Sequence, residues 1–73
     1  MSDPSEVILR ILEEDGGELH WTVIQDRLLR SGAVDPFVVK DVRGVVLRSL
    51  FELTKAGEIQ RTGKGSYRFE REG

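Results

Sequence analysis

Cysteine is absent from the 73 residues, which excludes a disulfide framework and any thiolate metal site. Histidine occurs once, as His20. With neither a second histidine nor a thiol to complete a ligand set, it reads as a helix cap or a packed side chain. No apolar run approaches the ~20 residues that cross a bilayer. The opening MSDPSE lacks the basic region and apolar core of a secretion signal, so a soluble, cytoplasmic protein without membrane association is expected. Ser5, Ser31, Ser49 and Ser66 have no base set beside them by a recognisable motif. The acidic residues show no paired catalytic spacing. Gly63-Lys64-Gly65 lacks the spacing and the following helix of a nucleotide-hydrolase phosphate loop. The sequence therefore predicts no enzyme, no cofactor, no metal and no small-molecule substrate. Repeats, linkers and low-complexity segments are missing too, and the length suits one small domain, residues 1–73, with a modest core.

Charge is present, and it is unevenly placed. The formal net charge is −2 and the pI about 5.3, an average that argues against a polyanion partner. Residues 1–18, however, hold six acidic residues against Arg10 alone, a net of −5. Residues 19–73 hold ten basic and seven acidic residues, a net of +3, which restores the total of −2. An acidic first segment followed by a mildly basic remainder is compatible with one surface facing phosphates and another facing away. It is equally what ordinary solvated surface charge gives.

Apolar periodicity supplies the elements. Asp3, Pro4, Ser5 and Glu6 form a capping-box pattern, with Asp3 on the N3 amide and Glu6 reaching back, for a helix over about 4–15. Val7, Ile8, Ile11 and Leu12 are its buried stripe, and Gly16-Gly17 stops it. Residues 18–21 make a strand stub with Leu19 and Trp21 on one face, able to join a hairpin as a third strand. A second helix over about 22–31 presents Val23, Ile24, Leu28 and Leu29; its cap is either the Thr22–Gln25 box or His20. Asp35-Pro36 is a start signature for a third helix over about 37–56, although Pro36 to Val39 also reads as loop. Val39, Val42, Val46, Leu50 and Leu53 recur at spacings of three and four along it. Lys55 suits the negative end of its dipole, and Gly57 suits the left-handed position beyond its end. Residues 58–70 then alternate as a hairpin with Ile59, Tyr67 and Phe69 inward and Lys64 at a turn between Gly63 and Gly65.

Helix, strand stub, helix, turn, helix, hairpin is the winged helix-turn-helix order, an α+β fold in which a three-helix core carries a small antiparallel sheet of two or three strands. LHWTVIQDRLL, residues 19–29, resembles the "LH, aromatic, amphipathic helix" stretch of HARE-type winged helices. Residues 41–69 resemble their third helix and wing, with Arg61, Gly63, Gly65 and Tyr67 in the "R, x, G, x, G, x, Y" pattern. The wing is also similar to that of the N-terminal winged helix of Mrr-type restriction proteins. Ala33 to Val39 departs from the family's threonine-proline start of the third helix. The resemblance implies a small DNA-binding protein acting in transcription regulation, with double-stranded DNA as partner and a homodimer or protein partner in addition. The alternative it carries is a winged helix that docks on a transcription or other macromolecular complex without touching DNA.

At about 100° per residue around the third helix, Gly44, Arg48 and Lys55 lie opposite Val46, with Lys40 at the edge of that side and Arg43 nearer the core. Asp41 and Glu52 share the outward side, as on any solvated helix. Lys40, Arg43 and Arg48 are thus the candidates for phosphate or base contact. On the hairpin Arg61, Lys64 and Arg68 gather near the tip, as a phosphate-tracking wing requires. Leu47 and Phe51 form a second apolar strip, which either packs on the second helix or the strand stub or joins the domain to a second copy or a partner protein; Phe37 extends that patch. Trp21 is expected in the core.

Overall fold

The computed structural model describes residues 3–70; the ends of the expected 1–73 domain lie outside the described residues. The first helix, α1 (Pro4–Asp15), begins where Asp3 Oδ1 accepts the Ser5 N–H at 2.9 Å. That is the N2 amide rather than the expected N3 amide, because the Glu6 N–H already donates to the Asp3 carbonyl at 3.0 Å. Pro4, which has no N–H to lose, fills the first helical position. Gly16, at φ 74°, ends the helix and donates to the Leu12 carbonyl.

The strand stub is β1 (Glu18–His20), and α2 (Trp21–Ser31) follows without a gap. His20, not the Thr22–Gln25 box, caps α2: its Nδ1 accepts the Thr22 N–H at 3.3 Å and lies 2.8 Å from Thr22 Oγ1. The helix consequently starts one residue earlier than predicted.

The third helix, α3 (Val42–Lys55), starts five residues later than the expected 37. Asp35 does not open it. Its Oδ1 takes the Phe37 N–H at 2.9 Å and its carbonyl takes the Val38 and Val39 N–H groups at 3.0 and 2.8 Å, closing a single turn. Asp41 supplies the cap instead, its Oδ1 accepting the Gly44 N–H at 3.0 Å. At the far end Glu58 N–H donates to the Leu53 carbonyl and Gly57 N–H to the Thr54 carbonyl, with Gly57 at φ 79°. This paired arrangement satisfies two carbonyls that the helix leaves open.

The hairpin comprises β2 (Ile59–Gly63) and β3 (Ser66–Phe69), and the three strands pair antiparallel in the order β1-β3-β2. The stub therefore does form the third strand, with Leu19 opposite Tyr67 and Glu18 opposite Arg68. A bulge between Arg61 and Gly63 leaves Thr62 unpaired before the Lys64-Gly65 turn. The result is an α+β, winged-helix-like fold of three helices and a small antiparallel sheet. Among the described residues no helix is long and apolar enough to cross a membrane.

The core lies where α1, α2 and α3 meet the sheet. Ile8, Leu12, Ile24, Leu28, Val46 and Leu50 are fully buried, and Leu19, Val34, Leu53 and Ile59 nearly so. Each large side chain so buried contributes ~1.5–3 kcal/mol over an exposed one. Val7, Ile11, Val39, Val42, Tyr67 and Phe69 pack half-buried against this centre. Two expectations change. Val23 is 38% exposed, at the edge of the α2 stripe, and Trp21 is half-buried rather than central.

Candidate nucleic-acid interface

Asp41 sets where α3 begins, and the side chains that the helix buries set what it shows to solvent. Val46, Ser49, Leu50 and Leu53 face inward. By the helical period, Gly44, Leu47, Arg48, Phe51 and Lys55 fall on the other side. Phe51 is 67% exposed and Leu47 is half-buried without joining the core. Phe51 is thus the exposed part of that strip and Leu47 its half-covered part. Arg48 lines an open cleft with Val39, Asp41, Gly44, Val45 and Ser49. Lys40 is exposed in the bend just before the cap. Ahead of it, Phe37 and Val38 stand out at 96% and 75% exposure on the turn that Asp35 closes.

The hairpin does not gather its cations as expected. Arg61 pairs across from Tyr67 on the side of the sheet that faces the helices, whereas Arg68 sits on the opposite side between Glu18 and Gln60. A carboxylate directly across a strand offsets part of the charge of Arg68. Arg61 Nε donates to the Gly63 carbonyl at 3.1 Å, holding its side chain along the bulge. Lys64 is exposed at the turn.

The turn itself is tied down. Trp21 N–H donates to the Gly65 carbonyl at 2.9 Å. Gly65 has φ 80°, and a Cβ there would lie 2.9 Å from His20 Nε2 and 3.0 Å from Trp21 Cδ1. Only glycine fits both the backbone and the space. The same indole carries the Arg43 guanidinium from α3, whose Cζ is 5.1 Å from the ring centroid, within cation–π range. The His20 ring lies 5.7 Å from that of Trp21. The first turn of α3, the start of α2 and the hairpin turn thus converge on one aromatic pair, with Arg43 over the indole and Lys64 one residue before the glycine that packs on it. Arg43 and Lys64 were legible as cations; the packing of Arg43 on Trp21, and of the hairpin turn on His20 and Trp21, was not.

Among the described residues, ion pairs join Arg27 to Asp15 at 3.3 Å and Arg30 to Asp26 at 3.1 Å. Both use cations of α2. None of the described carboxylates is within 4.0 Å of the charged nitrogens of Lys40, Arg43, Arg48, Lys55, Arg61, Lys64 or Arg68. Comparison of the chain with protein-family models, with curated proteins and with solved structures finds no match.

Proposed function

We propose that this domain is a small DNA-binding protein of the winged-helix kind, resembling HARE-type and Mrr N-terminal domains and acting in transcription regulation. It applies α3 and the hairpin turn to the backbone of a duplex. The observation that supports this most is that both cations of α2 are paired, while Lys40, Arg43, Arg48, Lys55, Arg61 and Lys64 gather on α3, its approach and the hairpin with no ion-pair partner among the described residues; Arg10 of α1 also has none, and Arg68 faces Glu18 across the sheet. Unpaired cations are the groups that displace counterions from a polyanion, and a pI of about 5.3 does not prevent this where much of the acid lies on the first 18 residues, although Asp41 and Glu52 share the outward side of α3.

A second reading is a winged helix that docks on a protein complex without touching DNA. It is favoured by Phe51, 67% exposed in the middle of the outward face of α3 beside Leu47.

Fluorescence anisotropy of a labelled duplex over a range of salt tests the first reading. The log–log slope is expected to be about −0.9 per neutralised phosphate, and R61A/K64A should flatten it by the equivalent of about two contacts. Absence of binding at low salt removes the DNA reading and leaves the Phe51 face as the functional surface.

A further inference from the structure

The convergence at Trp21 has the makings of a binding site with defined chemistry. Arg43 is exposed yet not free to wander, since its guanidinium rests over the indole. A planar cation resting on an aromatic face keeps its N–H edge available for bidentate recognition of an oxyanion, and the contact favours that placement before any ligand arrives. His20 has Nδ1 committed to the cap, where it accepts the Thr22 N–H. In the tautomer in which Nδ1 accepts from Thr22, the proton sits on Nε2, which lies against the hairpin turn at Gly65 and is then a donor. Lys64 precedes that glycine, and the Trp21-to-Gly65 hydrogen bond fixes the turn from which it extends. The indole carries Arg43, the His20 ring lies beside it, and Lys64 leaves the turn that packs on both rings; no described carboxylate pairs with either cation.

We infer that Arg43, Lys64 and His20 Nε2 form a preorganised site for backbone phosphodiester of duplex DNA, with Trp21 as the positioning residue that holds Arg43 and the turn together. This rests on the DNA reading above and narrows it: the first grip on the duplex is at the α2–hairpin corner rather than along the middle of α3, where Phe51 stands. Shape, not charge alone, is then what the corner supplies. Lysine in place of Arg43 keeps the charge but loses both the stacked plane and the fork.

Trp21 is the one tryptophan of the chain, so its emission reports this corner directly. Titration of the full chain with a short duplex at low salt, followed by both Trp21 emission and anisotropy of the labelled DNA, tests the site. The wild type is expected to change emission in parallel with anisotropy. R43K should weaken binding about tenfold despite its unchanged charge. K64A should weaken it about as much. H20N, which retains an oxygen able to cap α2 while losing the ring N–H, should weaken it about threefold. R10A, on α1, serves as the charge-matched control and should cost less than twofold. Circular dichroism of each variant checks that the fold is kept; with Arg43 and Lys64 both exposed, R43K and K64A leave the core untouched. The inference is overturned if R43K binds within twofold of the wild type, if R10A costs as much as K64A, or if anisotropy rises while Trp21 emission stays constant. In each of those results DNA binding itself survives. No rise in anisotropy for the wild type overturns the DNA reading along with the site.

Discussion

Gly65 and Gly57 have nearly the same backbone, φ 80° and 79°, in very different surroundings. Nothing lies within 4 Å of a Cβ built at Gly57, whereas at Gly65 it meets both His20 and Trp21. Alanine at Gly57 therefore carries only the left-handed backbone cost, about 1 kcal/mol. At Gly65 the same change must also push the turn off the indole, and it strains the Trp21-to-Gly65 hydrogen bond, worth about another 1 kcal/mol. Urea denaturation should place G65A about 1 kcal/mol or more below G57A. Equal losses would mean that the turn is not held by Trp21 and merely passes near it. The distinction was out of reach from the sequence, where both are glycines at the ends of apolar periodicity. What separates them is which residue, far away in the chain, occupies the space beside each.

The helices show where local reading succeeds and where it stops. Helix α1 was predicted at its observed limits because a proline after a capping aspartate and a double glycine leave few other boundaries. The start of α3 was misplaced because Asp35 and Asp41 both have a side chain able to cap, and only the set of backbone bonds each finally makes distinguishes them. That competition yields a test. A Cβ at Gly44 would collide with the Asp41 carboxylate that caps through the Gly44 N–H. In the wild-type background G44A gains about 1 kcal/mol of helix propensity and loses about 1 kcal/mol of capping, leaving stability nearly unchanged. With Asp41 already replaced by alanine there is no cap left to disturb, and G44A should stabilise by about 1 kcal/mol. A double-mutant cycle on thermal or urea unfolding would then show an interaction energy of about 1 kcal/mol. Simple additivity would show that the Asp41 carboxylate does not cap α3 in solution.

Over the whole molecule, the fold class and element order followed from periodicity and turn residues, but the candidate site did not. Whether Arg61 and Arg68 share a side depends on a bulge at Thr62, and whether Arg68 meets a carboxylate depends on pairing with a strand some fifty residues earlier. Whether Phe51 is covered depends on how α2 crosses α3. Charge asymmetry, by contrast, was legible from the outset, and its role can be tested apart from any contact. Glu13 and Glu14 are exposed at the C-terminal end of α1, and neither makes an ion pair among the described residues. Their position opposes the helix dipole, costing a few tenths of a kcal/mol each, so E13Q/E14Q should raise stability slightly, by ~0.5 kcal/mol. Both also add to the negative field that an approaching duplex meets. Removing them should speed association with DNA about twofold or more at low ionic strength, where the Debye length is about 30 Å. The gain should vanish near physiological salt, where screening sets in at about 8 Å. Stopped-flow association with a labelled duplex at the two ionic strengths checks this. A gain that persists undiminished at high salt would mean that Glu13 and Glu14 lie against the bound duplex, putting α1 in the interface and the proposed face on the wrong side of the molecule.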